Sequence, residues 1–322
     1  LSAFFEKKTS RKGPEAFYDV TTFAFESTRW GEFRMFGFSK DHKNNEVQIV
    51  MGLLIDNHGI PITYELFPGN TMDQSTLVTS VKRLKELYRL EKITIVADRG
   101  LNSGKNLDFI CSEGNDFVIS YTLKKSPEDF KALVFDDGGW ESEVNEEGAI
   151  IYKSKVIEKE LLVKVPVTKN ERKEETKTGK KRGRPCKYEH KQIPVNIHLT
   201  YSAKRAKKDR EDRERLLARL AKRLDKPYQM KAYIRRGCNQ YLQMALDTEN
   251  WSIDEQKIHD AEKFDGFYAI ITNNMSLSTE QVSTIYGGLW KIEESFRIMK
   301  SDLKARPVFV WTDNHIRGHF AM

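Results

Sequence analysis

Cysteine is scarce in this chain: Cys111, Cys186 and Cys238 are the only three in 322 residues. They are too scattered for a zinc site or a disulfide framework, which points to a reducing intracellular setting and offers no strong thiol nucleophile. The seven histidines show no close metal-ligand spacing. His315 and His319 form an i, i+4 pair if that segment is helical, and core or surface roles suit them better. No run approaches the roughly 20 apolar residues of a membrane span, and the start lacks the short apolar segment of a signal peptide.

A large excess of one charge is also missing, since 54 Lys and Arg face 47 Asp and Glu for a formal net charge of +7. Its distribution says more than its total. Residues 153–236 hold most of the excess, in KTGKKRGRPCKY and in YSAKRAKKDREDRERLLARLAKRLDK, and such runs suit DNA phosphates through charge and counterion release. In the second run Asp209, Glu211, Asp212 and Glu214 interleave with the bases, so a solvated helix explains it as well. Arg182-Gly183-Arg184-Pro185 resembles the core of a minor-groove AT-hook, with a flexible basic loop as the plainer alternative.

Chemistry is most concentrated in Tyr286 to Lys304, YGGLWKIEESFRIMKSDLK. At helical period Leu289, Ile292, Phe296, Met299 and Leu303 make an apolar stripe, while Tyr286, Trp290, Glu293, Arg297, Lys300 and Lys304 line up beside it. An acid between aromatic and basic side chains, one step from a buried stripe, is held rigidly at the edge of a charged cleft. An ordinary amphipathic helix with a solvated face reads the same way.

Two further acids separate these readings. Asp19 lies in EAFYDVTTFAFES, whose aromatic and β-branched content predicts a strand with Phe17, Asp19, Thr21 and Phe23 on one face. Asp98 closes KITIVADRG, at the carboxyl end of a short run that reads as a buried parallel strand, where open α/β sheets keep their ligands. Singly, Asp98 is also a turn former and Asp19 a buried acid with a basic partner. Two strand acids and one helix acid together are poorly explained by those alternatives.

The order Asp19 in YDVTTF, Asp98 in VADRG, then Tyr286, Glu293 and Lys300 at their spacing, resembles bacterial insertion-sequence transposases of the DDE type. The group in question has a Tyr, Arg, Glu, Lys signature and an RNase H-like catalytic core. Leu289 stands where that signature has Arg; since it falls on the apolar stripe it reads as a packing choice, with Lys291 or Arg297 supplying the phosphate contact instead. The resemblance implies an enzyme that cuts DNA at the ends of an insertion sequence and transfers the freed 3′ ends, in cut-and-paste transposition. It implies Asp19, Asp98 and Glu293 as catalytic metal ligands. Three carboxylates suit hard divalent ions, Mg²⁺ or Mn²⁺, and two such ions serve an in-line displacement. Glu294 is the rival to Glu293, but lies about 100° further round the helix, away from Trp290 and Arg297. Tyr286, Trp290, Lys291, Arg297 and Lys300 are the expected DNA contacts, with Arg182 and Arg184. Implied partners are double-stranded DNA, both transposon ends and target, and a second copy of the chain, in a bacterial cytoplasm. An RNase H-like nuclease without strand transfer and an inactive DNA-binding remnant are the alternatives.

The rest of the chain is organised to match. Residues 17–27, 30–40, 46–56 and 60–68 read as strands of an antiparallel meander joined by turns such as DNHGI. Met72 to Leu90 reads as a helix capped by Thr71 or Asp73, with Leu77, Leu84 and Leu87 inward. A strand ending at Asp98, a helix over 102–113 and the strand DFVISYT complete a β-β-β-α-β-α-β succession. The expected fold class is therefore α/β, an RNase H-like mixed sheet flanked by helices. Its parts are a first core segment, 1–124, an insertion, 125–264, and a second core segment, 265–322, that carries the Glu helix. The insertion is β-rich, with strands at 149–157 and 160–167, then basic and helical. GFYAIITN returns to the core, Ser278 or Thr279 starts the next helix, and RPVFVWTDNHIRGHFAM looks like a core helix cut short.

Overall fold

A computed structural model describes residues 15–39, 45–88, 91–167, 187–224, 240–244 and 251–321. Contacts divide the chain into two compact units: 1–121 with 158–197 and 270–322, and 122–157 with 198–269. The fold is mixed α/β, built on a large mixed sheet flanked by helices.

The first unit opens with three strands, β1 (Glu15–Ala24), β2 (Gln48–Ile55) and β3 (Pro61–Pro68), then helix α1 (Asp73–Tyr88). β4 (Thr94–Ala97), α2 (Gly104–Ser112) and β5 (Asp116–Tyr121) follow. β1, β2 and β3 are an antiparallel meander, whereas β4 runs parallel to both β1 and β5, giving the order β3-β2-β1-β4-β5. β2 is buried along its whole length and β4 likewise, which is why both read as continuous apolar runs. The row continues through β11 (Phe267–Thr272), β8 (Tyr188–Ser202) and β7 (Ile150–Pro166).

The alternating side chains of β1 serve two helical layers. Tyr18 faces α1: its hydroxyl donates to Thr76 Oγ1 at 2.7 Å and lies 3.2 Å from Ser80 Oγ. Burial pushes this phenol far above its ordinary pKa, so it remains a neutral donor. A Cβ on Gly52, in the adjacent strand, would lie 2.3 Å from the Tyr18 hydroxyl oxygen; only glycine leaves room for it. Phe17 and Phe23 face the opposite layer, made by α6 (Thr279–Gly287), α7 (Trp290–Ser301) and α8 (Asp313–Ala321). α6 packs on β4 and β5, and α7 on β1 and β2. Phe320 of α8 meets Phe23 edge-on at 4.9 Å.

Several expectations are corrected. Residues 30–39 form no strand, only a single bridge from Met35 to Gln48, because β2 already has both edges taken by β1 and β3. The strands expected at 149–157 and 160–167 are one continuous strand, β7. Leu87, in the last turn of α1, is half exposed. The helix expected from Tyr286 to Lys304 is broken at Gly288 and Leu289, and ends at Ser301, leaving Leu303 71% exposed. α6 begins as expected, with a capping box in which Ser278 accepts from Gln281 N and the Gln281 side chain accepts from Ser278 N.

The second unit carries α3 (Glu128–Phe135), the hairpin of β6 (Glu141–Val144) with the start of β7, and the basic helix α4 (Ala203–Leu224). β9 (Leu242–Met244) pairs with β10 (Trp251–Ile253), followed by α5 (Glu255–Glu262). Leu220 of α4 is buried with Tyr241, Leu242 and Ala261, so α4 is a packed helix whose described bases other than Arg213 lie on its outer faces. Buried Arg213 is held by Asp265 at 2.6 Å and Glu262 at 3.4 Å.

Candidate active site

The parallel register of β1 on β4 pairs Phe17 with Val96 and Tyr18 with Ala97. One step further on each strand stand Asp19 and Asp98. Asp98 keeps an extended backbone, φ −71° and ψ 163°, so the pleat carries through it and both carboxyls leave the same face. Neighbouring strands lie ~4.8 Å apart, which makes these acids side-by-side neighbours. Asp19 is half-buried and its Oδ1 accepts from Val20 N at 2.7 Å. Asp98 is exposed and its side chain makes no capping bond to the turn Arg99–Leu101, so turn formation does not account for its carboxylate.

Helix α7 crosses this face. A Cβ on Gly288 would lie 2.7 Å from Phe17 Cζ, and Lys300 Nζ stands 5.5 Å from the centre of the Phe23 ring, so the helix runs along β1 between those two rings. Glu293 lies roughly 7.5–10 Å past Gly288, at ~1.5 Å per α-helical and ~2.0 Å per 3₁₀ residue. Asp19 lies roughly 6.6 Å past Phe17 at ~3.3 Å per strand residue. Both acids therefore lie beyond the Phe17–Gly288 contact in the same direction along β1. Among the described residues no three His, Cys, Asp or Glu side chains are close enough together to hold a metal as they stand. Asp19 and Asp98 each stand one residue beyond the last paired residues of adjacent strands, and Glu293 is carried on a separate helix.

The α6–α7 joint is a tightened passage. Gly288 N, Leu289 N, Lys291 N and Ile292 N each donate three residues back, in the 3₁₀ manner, while Gly288 and Leu289 keep right-handed helical dihedrals. Leu289 is buried, as a packing residue at that position should be. Tyr286 therefore lies in the last turn of α6, half-buried, whereas Glu293 and Lys300 belong to α7.

Of the two neighbouring acids, Glu294 is occupied by a bidentate pair with Arg297, at 2.8 Å from Nε and 2.6 Å from NH2, and the guanidinium holds its carboxyl below the usual glutamate range. Glu293 is exposed on the adjoining face. Trp290 is 60% exposed and Lys300 is half-buried. Lys291 Nζ donates to the Asn57 carbonyl in the β2–β3 turn, against which Gly59 packs its backbone on the Lys291 stem. That turn is itself tied down by Asp56 Oδ1, which accepts from His58 N and Ile60 N. The turn signal DNHGI was visible in the sequence, but nothing in it pointed to Lys291. Arg182 and Arg184 lie outside the described residues, as do Cys186 and Cys238.

The family model for the transposase DDE domain matches residues 11–322. The chain belongs to the transposase DDE-domain family. Among curated proteins none matches the chain. A piggyBac transposase synaptic complex with hairpin DNA, solved by cryo-electron microscopy, is similar at 9% identity and a TM-score of 0.37, over 89% of this chain. The similarity spans 41% of that longer chain, and is too loose to carry an argument about this site.

Proposed function

We propose that this chain is the catalytic part of a DNA transposase that cuts strands at insertion-sequence ends and joins the 3′ ends to target DNA, by cut-and-paste. The observation that supports the reading is the parallel register of β1 on β4, which runs to Tyr18 and Ala97, the residues just before Asp19 and Asp98, on a sheet that the helix of Glu293 packs against. The order β3-β2-β1-β4-β5 supports an RNase H-like core, with 125–264 as an insertion between the second and third acids.

Asp19, Asp98 and Glu293 would hold Mg²⁺ or Mn²⁺, in a two-ion arrangement. The donor chemistry fits, since all three are carboxylates and hard divalent ions prefer oxygen ligands. The bound ions supply charge stabilisation and activation of the attacking oxygen during in-line displacement. Asp19 and Asp98 act as the fixed pair, and Glu293 closes the donor set from α7. Tyr286, Trp290 and Lys300 align the scissile strand, since phosphoryl transfer asks chiefly for positioning and charge complementarity. Lys291 and Arg297 reach DNA only by leaving Asn57 and Glu294, and Arg182 with Arg184 add basic contacts from the insertion. Partners are transposon-end and target DNA, with two copies of the chain bringing two ends together. Among the described residues no helix is long and apolar enough to cross a membrane, and the proposed setting is the bacterial cytoplasm.

The test is cleavage and joining on DNA carrying the element's end sequence, with and without Mn²⁺, comparing the chain with Glu293→Gln. Metal-dependent cutting and strand transfer, both abolished by that change, is the expected result. Cutting without joining would favour a nuclease, and DNA binding with neither reaction an inactive remnant.

A further inference from the structure

Residues 27–39 and 303–312 leave the ends of the two elements that carry acids, β1 and α7, and are stitched together. The Arg34 guanidinium of the first stands 5.6 Å from the centre of the Trp311 ring of the second, and the second is also tied to the end of β1, where Val308 N donates to Ala24 O at 2.9 Å. Each segment is fixed from beneath. Phe33 is buried under the first, whose Phe38 carbonyl accepts from Gln48 Nε2 at 3.0 Å, and Val308 is buried under the second. Held on these anchors, Trp30 is 72% exposed, Phe38 85%, Phe309 71% and Trp311 51%. Large aromatic side chains so displayed on tied-down loops are costly unless they meet something.

Charge says what they meet. The two segments carry Arg29, Arg34, Lys304 and Arg306 against a single acid, Glu32. Rings interleaved with cations match a nucleic-acid strand whose bases stack on aromatics while its phosphates lie along basic side chains. Placement agrees. From Asp19 to Ala24 is roughly 16 Å along β1 at ~3.3 Å per residue, the span of about five nucleotides at the ~3.4 Å rise of a stacked duplex strand and of fewer in an extended one.

Resting on the transposase reading, we infer that these loops form a stacking platform for unpaired bases of the DNA strand, a few nucleotides from the phosphate that reacts at Asp19 and Asp98. The platform gives the protein a preference for ends that are frayed, or opened on binding, over uniformly paired duplex.

The test is fluorescence anisotropy without divalent metal, so that cleavage does not enter, comparing end-sequence duplex with the same duplex carrying a short unpaired flank, for the wild-type chain, Trp30→Ala, Trp311→Ala and Trp311→Phe. The expected result is tighter binding of the flanked DNA, a loss of about tenfold in that preference for each alanine variant, and its retention in Trp311→Phe. Quenching of 2-aminopurine in the flank should fall in parallel. Equal affinity of wild type and alanine variants for the flanked DNA would overturn the inference while leaving the catalytic reading intact. So would alanine variants that turn a dimer into a monomer in sedimentation with DNA affinity unchanged, which would make the patch a contact between copies. A wild-type chain that bound neither DNA would overturn the transposase reading itself.

Discussion

Lys291 Nζ, in the first turn of α7, donates to the backbone carbonyl of Asn57 in the β2–β3 turn. The contact ties the helix of Glu293 to the hairpin edge of the sheet that carries Asp19. It makes Lys291 a strut for the third acid, and Lys291→Met should lower strand cleavage about tenfold, ~1.4 kcal/mol of barrier, while leaving DNA affinity within twofold. It should also raise the Mn²⁺ concentration needed for half-maximal rate. A matching loss of DNA affinity with an unchanged metal requirement would instead make Lys291 a phosphate contact.

Glu294→Gln should leave cleavage near the wild-type level, where Glu293→Gln abolishes it, because Arg297 already occupies Glu294. The pair also has a pH signature. Because the folded pKa of Glu294 is depressed, its contribution is fully present above the ordinary glutamate range and is lost as pH falls through the lowered value. In a carboxyl NMR titration, Arg297→Gln should move the Glu294 midpoint upward; an unmoved midpoint would show that the pair does not form in solution.

Tyr18 and Gly52 should behave as one packing unit. Tyr18→Phe removes a buried hydroxyl from Thr76 and Ser80 and is expected to cost ~1–3 kcal/mol in chemical unfolding. Gly52→Ala brings a methyl onto the same hydroxyl and should cost on the order of 1–3 kcal/mol. The double variant should lose less than the sum, since the clash is partly relieved. Strict additivity in the double-mutant cycle would place the two residues out of contact.

Buried Arg213 is locked to the largely covered Asp265, so Arg213→Met leaves that carboxylate without its partner and should destabilise the second unit by on the order of 2–4 kcal/mol. Lys207, Lys208 and Arg210 lie exposed on α4. Replacing all three with Gln should weaken DNA binding and flatten the slope of log affinity against log salt by about one for each phosphate that these side chains neutralise. A slope that does not move would assign the outer face of α4 to solvent.

Much of the first unit was legible because its strands and helices keep one period each. The Phe17, Asp19, Thr21, Phe23 face, the buried run before Asp98, and the capping residue Ser278 all fell where the patterns put them. What failed shares a physical cause: periodicity records which side chains are buried, not whether a backbone finds a partner. Residues 30–39 read as a strand, yet the strand they meet, β2, is already paired on both sides by β1 and β3. The joint at Gly288 and Leu289 is invisible to the apolar stripe because both residues stay in the helical region while their hydrogen bonds shorten by one residue. Leu303 and Leu87 continue a stripe past the point where the packing surface stops. For the site, the acids were readable as residue types in order, whereas their relation depends on the register Tyr18 to Ala97, a long-range fact.

The bare backbone of Gly288 against the Phe17 ring sets more than a helix crossing. Phe17 becomes a common datum for two acids far apart in sequence, two residues along the strand to Asp19 and five along the helix from its glycine neighbour to Glu293. A side chain at Gly288 would lift one measuring arm and leave the other in place. The alignment proposed for the Asp19 and Glu293 carboxylates therefore hangs on one aromatic ring outside the proposed donor set, and on the glycine that lets the chain lie close upon it.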